Sequence, residues 1–230
     1  MKEKTLHLTH VLSDPTRYSI YEYLIESSKP VTVKEIATIV GIHTNVARLH
    51  LTKLAEVKLI DSYINQEKSS GRPNRLYIPS EEAIEISFPY RDYKLLSSIT
   101  IEAIAKLGDA GKSVLFEVGK DYGQKMIRKL KASKHEEDIS KLEKVKLLTE
   151  ASTFLGLHAS FEYNEKTDNI IYKISNCPFK ELTSKSDRMI CDLHNEFLNG
   201  MFKEVFTKME FYEMTNMLDG CKVCSYSVKI

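Results

Sequence analysis

Two apolar runs of helical period, separated by one glycine, constrain this chain more than any other feature. Thr32 is followed three residues later by Glu35, the spacing with which a helix start satisfies two of its own backbone donors. Ile36, Ile39 and Val40 supply the apolar side of that helix, and Gly41 ends it. Beyond the glycine, Ala47, Leu51 and Leu54 fall at i, i+4 and i+7 and predict a second helix from about Thr44 to Val57. If that stripe faces inward, Thr44, Asn45, Arg48, Thr52 and Lys53 face outward.

The flanks extend the pattern. Ser13-Asp14-Pro15 reads as a helix start, and the helix after it carries Tyr18, Tyr21, Leu24 and Ile25 on one side. After Lys58 the period changes to two. Leu59-Ile60, Tyr63-Ile64 and Leu76-Tyr77-Ile78 predict two short strands around the polar tract 65–74. Helix, helix-turn-helix and a hairpin with a basic tip outline a winged helix over residues 1–80. Residues 1–79 hold 11 Lys/Arg against 8 Asp/Glu, while the remainder holds 22 against 24, so the head is the basic part.

Those outward residues suit double-stranded DNA. Arg binds guanine bidentately and Asn does the same for adenine, which makes Arg48 and Asn45 the candidates for base readout. Thr44 and Thr52 suit phosphates, with Lys53 beside them. Lys68, Arg72 and Arg75 at the wing tip suit salt-dependent phosphate neutralisation. His50 lies among the inward residues and reads as a satisfied, half-buried histidine. His7 and His10 read as helix surface.

The rest of the chain divides again. Residues 81–156 are helical, with Ile99, Ala103, Ile104 and Leu107 as one stripe and Phe116, Tyr122, Met126 and Leu130 as another. The first stripe is the expected dimer seam, or else an intrachain core. Breaks are expected at Gly108-Asp109 and Lys134-His135-Glu136, and Phe88-Pro89 either interrupts the first helix or marks its start near Tyr90. Residues 157–230 mix strands at 160–163 and 170–174, a helix over about 186–208, and strands near 211–217 and 223–230, a small α+β domain. The fold class is mainly α with small β.

With 230 residues, 42% hydrophobic and 28% charged, the chain can bury a substantial core. No apolar run approaches the roughly 18 residues of a membrane helix. The N-terminus lacks a secretory apolar core, so a cytoplasmic location is expected. No paired-carboxylate site, phosphate-binding glycine loop or Gly-x-Ser-x-Gly elbow is present, and no enzyme activity is expected.

All four cysteines lie after residue 176. Cys177, Cys191, Cys221 and Cys224 are separated by 13, 29 and 2 residues. Cys221-x-x-Cys224 suits one metal or a redox pair. Pro178 would hold the turn that aims Cys177. His194 lies one helical turn beyond Cys191, on the same side.

Several of these segments together resemble a known group. Leu12-Ser13-Asp14-Pro15-Thr16-Arg17 looks like the opening of ArsR-type winged-helix regulators, and Arg48 to Leu54, closing at Leu59-Ile60, is similar to their recognition helix. The wing Gly71-Arg72-Pro73-Asn74-Arg75-Leu76-Tyr77 and the segment Phe88-Pro89 to Tyr93 and Leu96 narrow this to a subgroup that includes SufR-like iron–sulfur repressors. Lys58 stands where that group usually has glycine, which bears on the local turn. The resemblance implies a dimeric repressor that binds an inverted-repeat operator and holds an iron–sulfur cluster on C-terminal thiols. Cys177, Cys191 and Cys224 match its cysteines, and Cys221 is an extra thiol beside them. Thiolates suit zinc as well, so a winged-helix regulator with a structural zinc or a small-molecule effector is the alternative. A thiol redox enzyme using Cys221 and Cys224 is a more distant one.

Overall fold

The computed structural model describes residues 2–27, 29–65, 74–132, 140–183 and 188–230. The fold is mainly helical with two small sheets, and the chain forms two compact units, Met1–Arg91 and Asp92–Ile230.

The first unit runs α1 (Lys2–Leu12), α2 (Pro15–Ser27), β1 (Val31–Thr32), α3 (Val33–Val40), α4 (Thr44–Glu56), β2 (Ile60–Asn65) and β3 (Asn74–Pro79). The capping box at α3 is formed. The Thr32 hydroxyl accepts from the Glu35 N–H at 3.2 Å, and the Glu35 carboxylate accepts from the Thr32 N–H at 2.6 Å. Gly41 caps the end of α3 at φ 70°, a conformation cheap only for glycine. Ala47, Leu51 and Leu54 are fully buried with Ile20, Leu24 and Ile36. The strands form an antiparallel sheet in the order β1-β3-β2.

Two features differ from expectation. Helix α1 carries no strong apolar period, yet it places Leu8 and Val11 in the core. On α2 the buried row is Arg17, Ile20 and Leu24, and Tyr18 is exposed. The cause is Arg17, whose Nε donates to the Val11 carbonyl at 2.5 Å and whose guanidinium also reaches the His10 carbonyl at 3.3 Å. These carbonyls at the end of α1 have no helical partner of their own. A charge on the inward face hid the true period.

The second unit runs α5 (Tyr93–Lys106), α6 (Gly108–Ala132), α7 (Lys141–Phe154), β4 (Ala159–Asn164), β5 (Asn169–Ile174), α8 (Lys180–Thr183), α9 (Met189–Val205), β6 (Glu210–Thr215), a 3-10 turn (Met217–Asp219) and β7 (Cys224–Lys229). Its sheet is antiparallel in the order β4-β5-β7-β6. Ile170, Tyr172 and Ile174 alternate inward on β5 and meet Cys224, Tyr226 and Val228 of β7. An aromatic layer crosses this face. Tyr172 stacks on Phe161 at 4.6 Å between ring centroids and meets the Phe202 ring edge-on at 5.4 Å. Ile127, Leu147, Leu148 and Ala151, from the helices expected over 81–156, join this same core.

Helix α6 corrects another expectation. Its buried positions are Gly111, Gly119, Gly123 and Ile127, while Tyr122 is 61% exposed. Gly111 faces Ile104 and Leu107 at the end of α5, while Gly119 and Gly123 replace the expected large side chains because α6 and α9 approach closely there. A Cβ on Gly200 of α9 would stand 2.1 Å from the Lys120 carbonyl oxygen, and one on Gly123 would stand 2.0 Å from that of Phe197. Helix α5 has no buried residue, so Leu95, Leu96, Ile99 and Leu107 remain exposed.

Gly200→Ala is therefore expected to destabilise this unit by about 2 kcal/mol or more, as overpacking does, although alanine intrinsically favours helix by about 0.5–1 kcal/mol. A urea unfolding midpoint equal to or above that of the parent chain would show that the helices part freely.

Candidate DNA-reading helix and thiol cavity

Helix α4 follows α3 after the three residues Gly41-Ile42-His43, the short glycine-containing joint of a helix-turn-helix. His43 caps α4, its Nδ1 accepting from the Asn45 N–H at 3.2 Å. With one side of α4 held in the core, Thr44, Asn45, Arg48 and Thr52 are exposed and Lys53 is half-buried. Among the described residues no carboxylate pairs with Arg48.

Arg75 is exposed on β3 opposite Ile64. Lys68 and Arg72 lie outside the described residues. Lys58 ends the turn into β2 at φ 60°, in the left-handed region that favours glycine. His50 is buried, and its Nδ1 lacks a hydrogen-bond partner among the described residues, so the expectation of a satisfied histidine is not met there. Burial lowers its pKa, opposed by the nearby Asp14 carboxylate.

In the second unit, the register that pairs Ile174 with Cys224 brings the exit of β5 beside the start of β7. Cys177 follows that exit, Cys224 begins β7, and Cys191 and His194 lie one turn apart near the start of α9. These four residues line one small cavity of about 30 Å³, with Lys180, Thr183, Asn195, Asn216 and Tyr226 also on its walls. The Cys177 sulfur lies 3.7 Å from His194 Nδ1. The Cys191 thiol points to the Asn216 side-chain oxygen at 4.0 Å, and the Met217 N–H donates to the Cys224 sulfur at 3.4 Å. Cys221 is exposed and is absent from the cavity wall.

Electrostatics keep these groups neutral in the absence of a positive charge. Burial pushes the Cys177 thiol up to about 11, against a modest opposing pull from the Phe179 N–H. Burial raises Cys191 and Cys224 as well. It lowers His194 to about 4, leaving a neutral imidazole whose centroid lies 5.2 Å from that of the Phe179 ring, the two planes nearly perpendicular.

A polar network adjoins the cavity through Asn195 and Asn216. Arg188 contacts Asp192, Glu213 and Asp219. Glu213 also accepts from Asn195 at 2.6 Å and from Asn216 at 3.1 Å. Burial would raise the Glu213 pKa, but these donors outweigh it and the net shift is downward. Asn195 in turn accepts from the Tyr226 hydroxyl at 2.9 Å. Sequence reasoning missed Asn195, Asn216, Glu213 and Tyr226. Asn216 alone left a trace, as the asparagine capping the turn at Met217–Asp219 through a 2.8 Å bond from the Leu218 N–H.

Three thiols and one imidazole are the donor types that thiophilic metals take. Among the described residues no three His, Cys, Asp or Glu side chains already stand at metal-binding spacing. The donor chemistry fits, and the side chains must draw together to use it. No helix among the described residues is long and apolar enough to cross a membrane.

Comparison with known proteins matches the two units separately. A helix-turn-helix domain model matches residues 12–63, and the model described as methanogen output domain 1 matches residues 107–229. None of the curated proteins matches. Among solved structures, the trafficking protein particle complex subunit 3 of Naegleria fowleri, covalently bound to palmitic acid, is 14% identical with a TM-score of 0.40, over 59% of this chain and 95% of its own. The phenol-responsive sensory domain of the transcription activator PoxR, solved with phenol, is 12% identical with a TM-score of 0.43, over 79% of this chain and 89% of its own. At these values neither likeness bears on function. The helix-turn-helix head gives the chain the character of a DNA-binding regulator, and through residues 107–229 the chain belongs to the methanogen output domain 1 family.

Proposed function

We propose that this protein is a dimeric transcriptional repressor, not an enzyme, whose DNA affinity is set by an iron–sulfur cluster or metal held on C-terminal thiols. The observation that carries the reading is the convergence of Cys177, Cys191 and Cys224 on one cavity in a unit separate from a helix-turn-helix head. Residues 12–63 and α4 support the DNA half. Asn45 and Arg48 read base edges, Thr44 and Thr52 contact phosphates, and Lys53, Arg75 and the wing residues Lys68 and Arg72 add charge neutralisation.

An inverted-repeat operator calls for a two-fold dimer. The apolar face of α5, with Leu95, Leu96, Ile99 and Leu107 exposed, supports a seam there. The resemblance to SufR-like repressors motivates the direction of control, with the loaded protein holding DNA.

Bound to the cavity, a metal centre supplies a cross-link between thiolates that is labile to oxidant or chelator. The protein's own residues do the rest. Cys177 stands at the end of β5, Cys224 at the start of β7 and Cys191 on α9, so drawing their sulfurs together ties α9 to the sheet. Helix α9 packs along α6, which α5 connects to the end of the head. DNA affinity changes by the difference in binding between tied and untied states, and by no more.

Two variants test the halves separately. Arg48→Ala is expected to relax sequence preference and to weaken operator binding by about 1–3 kcal/mol in an anisotropy titration; undiminished operator affinity would remove Arg48 from base readout. Cys177→Ser is expected to lose the bound iron or zinc, and any visible absorption with it, while the head keeps its fold. Full metal content in that variant would contradict the thiol site.

A further inference from the structure

The four cysteines of this chain do not share one environment, and a histidine stands where the fourth would be needed. Cys221 is exposed and lies off the wall of the cavity, although it sits three residues from Cys224. His194 is 4% exposed, lines the cavity and holds its Nδ1 3.7 Å from the Cys177 sulfur. Its position is fixed from two sides. Helix α9 carries it one turn after Cys191, so both project toward the same end of the helix. The Phe179 ring meets it edge-on, just after the Cys177-Pro178 turn.

We infer that the cavity is a three-sulfur, one-nitrogen site in which Cys177, Cys191, Cys224 and His194 bind a single thiophilic divalent ion, with Cys221 left outside as a free surface thiol. This inference rests on the proposed role of the thiol cavity and specifies its donor set. The donor count points to a single ion, because a closed tetrahedral site takes four protein ligands and three thiolates with one imidazole are an established combination. The four side chains must draw together to take that geometry, since among the described residues no three stand at metal-binding spacing.

The local chemistry assigns the remaining groups to a supporting role. Asn216 faces the Cys191 thiol and is held by Glu213, which Arg188 and Asn195 also hold. Such outer partners orient ligands without joining them. Lys180 also lines the cavity, and it offers only donors, so it supplies no metal ligand.

The test uses the full chain, stripped of metal under anaerobic conditions and reloaded with zinc(II) alone. Thiol labelling of the zinc-loaded chain is expected to leave one fast-reacting cysteine per chain, identified as Cys221 by mass spectrometry of its peptide. Cys221→Ser is expected to keep one zinc per chain with unchanged affinity in a chelator competition. His194→Gln is expected to weaken zinc by at least the 10–100-fold that loss of an outer-shell partner costs. The same three proteins loaded with cobalt(II) report the ligand set by absorption, and His194→Cys is expected to restore tight binding with a stronger sulfur-to-cobalt band.

Protection of Cys221 by zinc, or unchanged zinc affinity in His194→Gln, overturns the donor set while leaving a metal-holding cavity. Iron and sulfide recovered together on the natively purified chain overturn the single ion. A chain that takes up neither zinc nor iron overturns both the donor set and the regulatory reading beneath it. The labelling result needs no variant, so it stands even if a substitution at buried His194 harms folding.

Discussion

The backbone contact between α6 and α9 is the constraint on which the second unit depends. Gly123 and Gly200 remove the side chains that would hold two helices apart, and each helix's backbone then lies within van der Waals reach of the other. That contact sets the rotation of α9. With Gly200 turned toward α6, Leu198, Met201, Phe202 and Val205 meet the sheet, and Cys191 and His194 near the start of α9 line the cavity. The arrangement of the cavity is thus a consequence of helix packing at some distance along the same helix. Close packing transmits such constraints because interiors yield little.

The cavity itself combines donors that bind metals well with surroundings that discourage ionisation. A buried thiol held near 11 is overwhelmingly protonated at neutral pH. A metal ion reverses that logic by supplying the missing charge, deprotonating thiols that coordinate it. The Arg188–Glu213–Asn195–Asn216 network keeps the rim of the cavity in register with β6 and the following turn. Its buried polar atoms find their partners in one another, as a half-buried carboxylate requires.

Much of this organisation was legible from residue spacing, and the reasons for the gaps are physical. The capping box at Thr32 and Glu35, the left-handed Gly41 and the stripe Ala47, Leu51 and Leu54 each encode a local geometry with few alternatives, so the helix-turn-helix could be read directly. The pairing of β4 with β5 around residues 164–169 was legible for the same reason. The inward face of α2 was not, because Arg17 satisfies the carbonyl ends of α1 from the buried row, and a charge there carries no apolar signal. The inward face of α6 was also hidden, since glycines carry no hydrophobic signal although they mark the closest contact in the unit. In the cavity, the thiols announced themselves by type. Asn195, Asn216 and Glu213 did not, since amides and carboxylates are common on surfaces and only the fold brings these together.

What joins the two units functionally is the claim that the state of the thiol cavity sets the strength of DNA binding. The most direct test is a fluorescence-anisotropy titration of one anaerobic preparation against one selected operator, before metal removal, after it and after reloading. Weaker binding is expected on removal, by roughly 5–150-fold for a coupling of ordinary size, with full recovery on reloading. Identical affinity in all three states, with DNA still bound, would contradict it and leave the cavity without a regulatory role.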